Sequence, residues 1–247
     1  MRNETNRDDN ALPRVLGVIP ARGSSKRLPR KNIQKLKGHP LIAYTIRAAQ
    51  HSKLLSDYLV SSEDEEILNV AKNYGAPTPF VRPSELAGDK VRNIDVLAHA
   101  MAFMESTKGI IYDVLVLLQP TCPIRDPSHI DEAVLGLWQS ALDTAVSVKG
   151  PFKKRDPILK RIKNDVLEPF YLTDGVEHNE AFYLFNASIY AVKRDYFVKN
   201  NKLISKKQIP IVMDVFHSID IDTHADFLVA DAYLKHLLES GIRKENI

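Results

Sequence analysis

The chain has little of what marks several large protein classes. Cysteine occurs once, as Cys122, which excludes an intramolecular disulfide framework and a cysteine-based zinc site. Apolar runs are short, the longest being of about five residues, as in Val114–Leu118, whereas a membrane-spanning helix needs about twenty. Neither sign of charge is in excess: 34 Lys and Arg stand against 31 Asp and Glu, a net charge of +3. That is too small to argue for nucleic acid or a membrane surface as a partner. The opening MRNETNRDDNALPR has no apolar core of a secretory signal, so the expected address is cytoplasmic. Two phosphate-binding fingerprints are missing as well, the Walker GxxxxGK[ST] and the dinucleotide GxGxxG. The eight histidines show no HExxH or other ligand spacing, and there is no internal repeat.

What remains is ordinary globular material. At 247 residues, and about 150 residues per domain, the chain is one large domain or one domain with an appendage. Residues 1–13 are polar and expected to be disordered, and 14–247 form the domain. Val15–Pro20 reads as a buried strand, followed by a helix from about Pro40 to Gln50, with Leu41, Ile42, Tyr44, Thr45 and Ala48 at helical spacing. A strand at Tyr58–Ser61 precedes a helix at Asp64–Asn73 that stops at Gly75. A short strand is expected to end at Phe80–Pro83, and a helix covers about Arg92–Glu105. The unbroken apolar run Val114–Leu118 has the character of a central strand covered on both faces. Ile130, Ala133, Val134, Leu137 and Trp138 then share a helix face, and Thr144–Val148 is another strand. Four strand–helix repeats closing on a fifth strand mean a doubly wound, mostly parallel α/β sheet. Residues 150–185 break the rhythm with basic runs at 153–155 and 160–161, and read as an insert that serves either as a partner-subunit extension or as a lid. Strands resume at Phe185–Val192 and Ile209–Met213, and an amphipathic helix, about Thr223–Ser240, follows.

In open α/β sheets ligands bind beyond the carboxyl ends of the strands. After the first strand come Arg22, Lys26, Arg27, Arg30 and Lys31 among small residues and Pro29. Small residues let backbone N–H groups approach an anion, and the cations offset its charge; the segment reads as a polyphosphate loop, the alternative being a solvated basic turn. After the central strand, Gln119 and Thr121 offer neutral hydrogen bonding, Arg125 a further cation, and Pro120 and Pro123 stiffness. Near the end stands SIDID (218–222). In an extended segment Asp220 and Asp222 point to one side, and two carboxylates with phosphate oxygens and water suit Mg²⁺. Thr223 with Asp226 resembles a capping box, so the alternative is that Asp222 merely caps that helix. Cys122 has no nucleophile's partner, and His217 and His224 read as surface residues.

Together these segments resemble one family. IPARGSSKRLPRKN (19–32), PLIAYTI (40–46), VSSEDEEI (60–67), FVRPSELA (80–87), LQPTCPIR (118–125), FNASIY (185–190) and SIDIDT (218–223) are similar, in order and spacing, to the motifs of the acylneuraminate cytidylyltransferases, the CMP-sialic acid synthetase family. The resemblance spans about residues 14–240. It implies a Rossmann-like nucleotidyltransferase fold with a small dimerisation insert, and transfer of CMP from CTP to a 2-keto sugar acid with release of pyrophosphate. It further implies nucleotide binding by Arg22, Ser25, Lys26, Lys31, Asn32, Arg82 and Asn93, and sugar binding by Gln119, Lys153 and Tyr190. By the same resemblance Mg²⁺ is held by Asp220 and Asp222, catalysis rests on Arg22, Lys31 and Asp222, and the protein is a homodimer. Two departures stand out. Val176 and Glu177 occupy positions where the family has Arg-Gln, and Ser24 and Arg27 replace usual glycines. Arg27-Leu28-Pro29 is similar to the CMP-Kdo synthetases. A Kdo-type or other sugar nucleotidylyltransferase, or a non-catalytic nucleotide-binding homologue, are the alternatives.

Overall fold

A computed structural model describes residues 12–153, 160–163, 166–169 and 181–242. The elements run β1 (Val15–Pro20), β2 (Lys35–Leu36), β3 (His39–Pro40), α1 (Leu41–His51), β4 (Asp57–Ser61), α2 (Glu65–Asn73), α3 (Asn93–Lys108) and β5 (Val114–Leu118). They continue with α4 (Pro127–Trp138), β6 (Thr144–Lys153), β7 (Lys160–Lys163), β8 (Val166–Pro169), β9 (Ala181–Lys193), α5 (Arg194–Asn200), β10 (Ile209–Met213) and α6 (His224–Glu239). The main sheet has the order β10-β6-β9-β5-β1-β4. β1 is parallel to both β4 and β5, and β6 is parallel to β10. β9 lies antiparallel between β5 and β6.

Strand periodicity sorts the core into two layers. Val15 and Ile19 of β1 join Val114, Val116 and Leu118 of β5 under α1, α2 and α4, through Ile42, Ile67 and Ile130. Leu16 and Val18, with Leu115, face the opposite way onto Leu97, Met101 and Met104 of α3 and Phe197 of α5. All five residues of β5 are buried, as a strand sandwiched between helices requires. A third cluster packs Ala230, Leu234 and Leu237 of α6 against Leu28, Leu36, Leu41 and Ile221. It thereby anchors the loop after β1 to the segment before α6.

Helix ends follow local chemistry. Asp64 accepts a hydrogen bond from the Ile67 amide at 3.0 Å and caps α2. Thr223 and Asp226 form a reciprocal capping box on α6, and Gly109, at φ 66°, ends α3. Phe80–Pro83, expected as a strand, is a loop. Its Arg82 amide still reaches the Ser62 carbonyl at 2.8 Å, but Pro77, Pro79 and Pro83 withhold the donors a ladder needs. Trp138, expected on the buried face of α4, is the helix's last residue and is 37% exposed. In the region 150–185, pairing of β6 with β9 continues out to Lys153 opposite Ala181, and β7 pairs with β8 as a hairpin. The expected disorder of the N-terminus lies, for residues 1–11, outside the described residues, as do Val176, Glu177 and most of the basic 153–161 run.

Candidate active site

β4 and β5 leave β1 on opposite sides, so the sheet reverses its order at β1, and ligand crevices form at such points. Beyond the carboxyl ends of β1 and β5 lies a cleft of about 270 Å³. Arg22, Ser25, Lys31 and Asn32 line it from the loop after β1, Arg82 and Asn93 from the connection between β4 and α3, Gln119 and Thr121 from the loop after β5, and Asp222 from the segment before α6. Four segments far apart in sequence thus converge.

The loop after β1 is held from below. The Gly23 amide donates to Glu63 Oε1 at 2.8 Å, and a Cβ on Gly23 would come within 2.2 Å of the Asp64 carboxylate, so a larger residue would have to displace that side chain from its cap and its pair with Arg30. Asn32 donates through Nδ2 to the Arg22 carbonyl at 3.0 Å. Arg30, in the left-handed region at φ 57°, pairs with Asp64 and Glu66; its guanidinium holds the Asp64 carboxyl below its ordinary range. Arg30 is therefore committed to α2, whereas Lys31 turns inward. Its Nζ lies 2.5 Å from the Ile221 carbonyl and 3.1 Å from Asp222 Oδ1.

Arg82 is buried at the cleft wall. Its Nη2 donates to Glu63 and, at 3.2 Å, to the Ala21 carbonyl, while its buried Nε has no partner. A buried donor without an acceptor is costly; the Nε itself is inaccessible, so Arg82 is held as part of the cleft wall rather than offered to a ligand through that atom. Glu63 was not singled out from the sequence. Its position just past β4, where open sheets place ligand-handling groups, was the available signal.

The acidic segment is pinned by the buried Ile221, whose amide donates to the Thr121 carbonyl at 2.8 Å. Asp220 and Asp222 flank it. Because Thr223 caps α6, Asp222 is spared that duty; it meets Arg27 at 2.9 Å and Lys31 at 3.1 Å. Asp220 lies deeper, beside Cys122 and Thr121. Burial pushes its carboxyl up, and the nearby charge of Asp222 adds to this. Two carboxylates that repel one another in this way suit a divalent cation, which would relieve that repulsion. Among the described residues no third carboxylate, histidine or cysteine joins them, so phosphate oxygens and water would complete a coordination sphere.

Other sequence-predicted residues lie elsewhere. Lys26 does not itself line the cleft, but pairs at 2.6 Å with Asp89, which does. Tyr190 sits mid-strand in β9, its hydroxyl pushed up by burial, and it does not line the cleft. Lys153 falls at the end of β6, with its side chain outside the described residues. Arg125, expected as a further cation for the site, is fully buried beneath it. It donates to Ser188 Oγ, Thr45 Oγ1 and the carbonyls of Gln119 and Ser188 at 2.7–3.0 Å. Burial lowers its pKa to about 10; it fixes the loop after β5 rather than facing a ligand. Cys122 is fully buried, its thiol pushed up to about 12 by burial, so at neutral pH it is no nucleophile. His217, expected at the surface, is mostly buried between Asp126 at 3.1 Å and Asp214 at 2.8 Å. His224 is exposed.

A nucleotide-sized cleft walled by cations and by Asp222, with Asp220 deeper and outside its lining, defines a nucleotidyltransferase-like site on this fold. The sequence model of the cytidylyltransferase family matches residues 16–245, and the chain belongs to that family. It is 34% identical over 227 residues to the CMP-N,N'-diacetyllegionaminic acid synthase of Legionella pneumophila, covering 90% of this chain and 97% of that one. It is 32% identical over 222 residues to the N-acylneuraminate cytidylyltransferase of Escherichia coli, covering 88% of this chain and 51% of that longer one. Among solved structures, a CMP:2-keto-3-deoxy-manno-octonic acid synthetase complexed with CTP superposes with a TM-score of 0.68 at 17% identity. That match covers 91% of this chain and 100% of that one, and it shows the shared fold.

Proposed function

We propose that this cytidylyltransferase activates a 2-keto sugar acid of the nonulosonic class, to which sialic and legionaminic acids belong, with CTP. The anomeric hydroxyl oxygen attacks the α-phosphorus, the bond to the β-phosphate breaks, and CMP-sugar and pyrophosphate leave. The observation that carries this reading is the facing of Arg22, Lys31 and Asn32 against Asp222 across one cleft, with Lys31 Nζ 3.1 Å from the carboxylate. The full-length similarity to a legionaminic acid synthase supports the sugar class.

Phosphoryl-type transfer is mostly positioning and electrostatics, and the chain's groups divide accordingly. Arg22, Lys31, Asn32 and the Ser25 backbone would bind the triphosphate, with Lys26 at its outer end. Arg82 and Asn93, which line the cleft, would take base and ribose. Gln119, which lines the cleft, is assigned to the sugar acid. Asp220 and Asp222 would hold Mg²⁺, which when bound offsets charge on the α-phosphate and the leaving group; Asp222 is also placed to orient the attacking hydroxyl.

We also infer a homodimer, since Tyr183, Leu184 and Phe185 on the β6–β9 ribbon are 46%, 55% and 52% exposed. Among the described residues no helix is long and apolar enough to cross a membrane, and a reaction fed by CTP belongs in the cytoplasm.

The test is pyrophosphate release with Mg²⁺ and CTP, offering N-acetylneuraminic, legionaminic and pseudaminic acids and Kdo, with UTP and GTP as controls. Turnover with CTP and one nonulosonic acid is expected. Asp222→Asn should abolish that turnover while circular dichroism and the melting temperature stay unchanged. Activity within a few-fold of wild type would remove Asp222 from the site, and turnover with Kdo alone would reassign the sugar.

A further inference from the structure

Two cations of the loop after β1 converge on one carboxylate. Asp89, in the turn between Ser84–Leu86 and α3, lies 2.6 Å from Arg22 Nη1 and 2.6 Å from Lys26 Nζ. Lys26 foremost, and then Arg22, hold its carboxyl below the ordinary range. Asp89 lines the same cleft as Arg22 and Lys31, so an anion stands where the proposed substrate would bring its phosphates.

The turn does not depend on that carboxylate. Its backbone is closed by the Leu86, Ala87 and Val91 amides donating to the carbonyls of Pro83, Ser84 and Gly88 at 2.9–3.0 Å. The ion pairs are solvent-exposed, with Lys26 at 79% and Asp89 at 39%, and exposed pairs add little stability. The carboxylate can therefore rotate away without unfolding anything.

From this geometry we infer that Asp89 is a tethered competitor for the polyphosphate site and promotes release of pyrophosphate. The inference rests on the reading of Arg22 and Lys26 as phosphate ligands. CTP enters by displacing Asp89 from both cations, helped by the contacts that base and ribose make elsewhere in the cleft. After transfer, pyrophosphate retains only its phosphate contacts, while Asp89 is covalently held at high effective concentration beside the same two cations. Its return replaces the departing anion and leaves neither cation unpaired. Asp222, which also meets two cations, is not available for this part because it faces the reacting phosphate side with Asp220.

The experiment is calorimetric titration with inorganic pyrophosphate at fixed Mg²⁺, without sugar acid, on wild type, Asp89→Asn and Asp89→Glu. Glu239→Gln, which loses an equal charge from an exposed pair with Lys235 on α6, controls for net charge. Asp89→Asn should bind pyrophosphate about three- to thirty-fold more tightly, as expected for removing competition from two exposed ion pairs. Asp89→Glu should return toward wild type, and Glu239→Gln should match wild type. Product inhibition of turnover by pyrophosphate should strengthen in parallel in Asp89→Asn. Equal or weaker binding by Asp89→Asn would overturn the inference, weaker binding meaning that Asp89 merely orients the cations. If wild type and all variants bind neither pyrophosphate nor CTP, the polyphosphate reading of the cleft falls, and the inference with it.

Discussion

Lys31 is set apart by where the chain puts its ammonium group. The side chain is mostly covered, and its contacts come from a segment nearly two hundred residues away, Ile221 and Asp222. A charge in partial burial interacts more strongly than one in water, so Lys31 is suited to stabilise charge that develops on phosphate oxygens. Lys31→Ala should lower kcat/KM for CTP by about ten- to a thousand-fold, the range for losing one preorganised electrostatic contact. Steady-state kinetics would check this, and an unchanged kcat/KM would remove Lys31 from the site. The basic loop stands out in the sequence because five cations gather among small residues after a first strand, and of these Arg22 and Lys31 line the cleft. The acids were harder. Glu63 and Asp89 carry no signal of their own in the sequence, and only the fold shows that each meets an arginine that lines the cleft. Arg125 erred the other way, a cation in a site motif that the fold uses as a fully buried brace. Residue type signals charge, whereas burial depends on which segments close over it.

Between elements, the most informative joint is His217. It ties the connection from β10 to α6 onto the start of α4, through Asp214 on its own segment and Asp126 at the helix N-cap. His129 of α4 packs edge-on against it. The hydrogen bond that His217 donates to the Asp126 carboxylate, foremost, raises the His217 pKa above its ordinary 6.5 despite burial. A histidine raised on folding contributes stability that is fully present below about pH 6.5 and is lost as pH rises through the raised folded value. His129 is shifted down by burial and works in the opposite sense, so the two must be separated by mutation. In melting curves over about pH 5.5–8.5, the wild type should exceed His217→Gln by a margin that shrinks as pH rises. A margin independent of pH would mean that His217 acts only through neutral hydrogen bonds. At this scale much was legible, because caps and stops are local chemistry. Gly75 and the Thr223–Asp226 pair, both read from the sequence, end and begin helices, and Asp64 caps the helix read as starting there. Where local rules conflicted, as in the proline-broken approach to Arg82, the strand pattern misled.

At the scale of the whole molecule, the parallel core could be read from alternating strands and helices, but the place of β9 could not. Its residues announce a strand, yet nothing local says that it threads antiparallel between β5 and β6, since strand order depends on which edges the earlier elements leave open. That placement carries the β6–β9 ribbon beyond the sheet. Successive strand residues point to opposite faces, so the exposure of Tyr183, Leu184 and Phe185 in a row means that both faces of the ribbon are bare there. Two-stranded ribbons are marginal alone, and full burial of each such side chain is worth about 1.5–3 kcal/mol, so association that covers them is favourable. A second copy of the chain, bringing the same ribbon, would meet this need by twofold symmetry. Sedimentation at micromolar concentration should then give a dimer for the wild type. Leu184→Glu should weaken it by about a hundredfold or more, the equivalent of about 3 kcal/mol, and give a folded monomer. A wild-type monomer would end the dimer reading, whereas an undiminished dimer in Leu184→Glu would move the interface to another face and leave the ribbon available to close over the sugar acid.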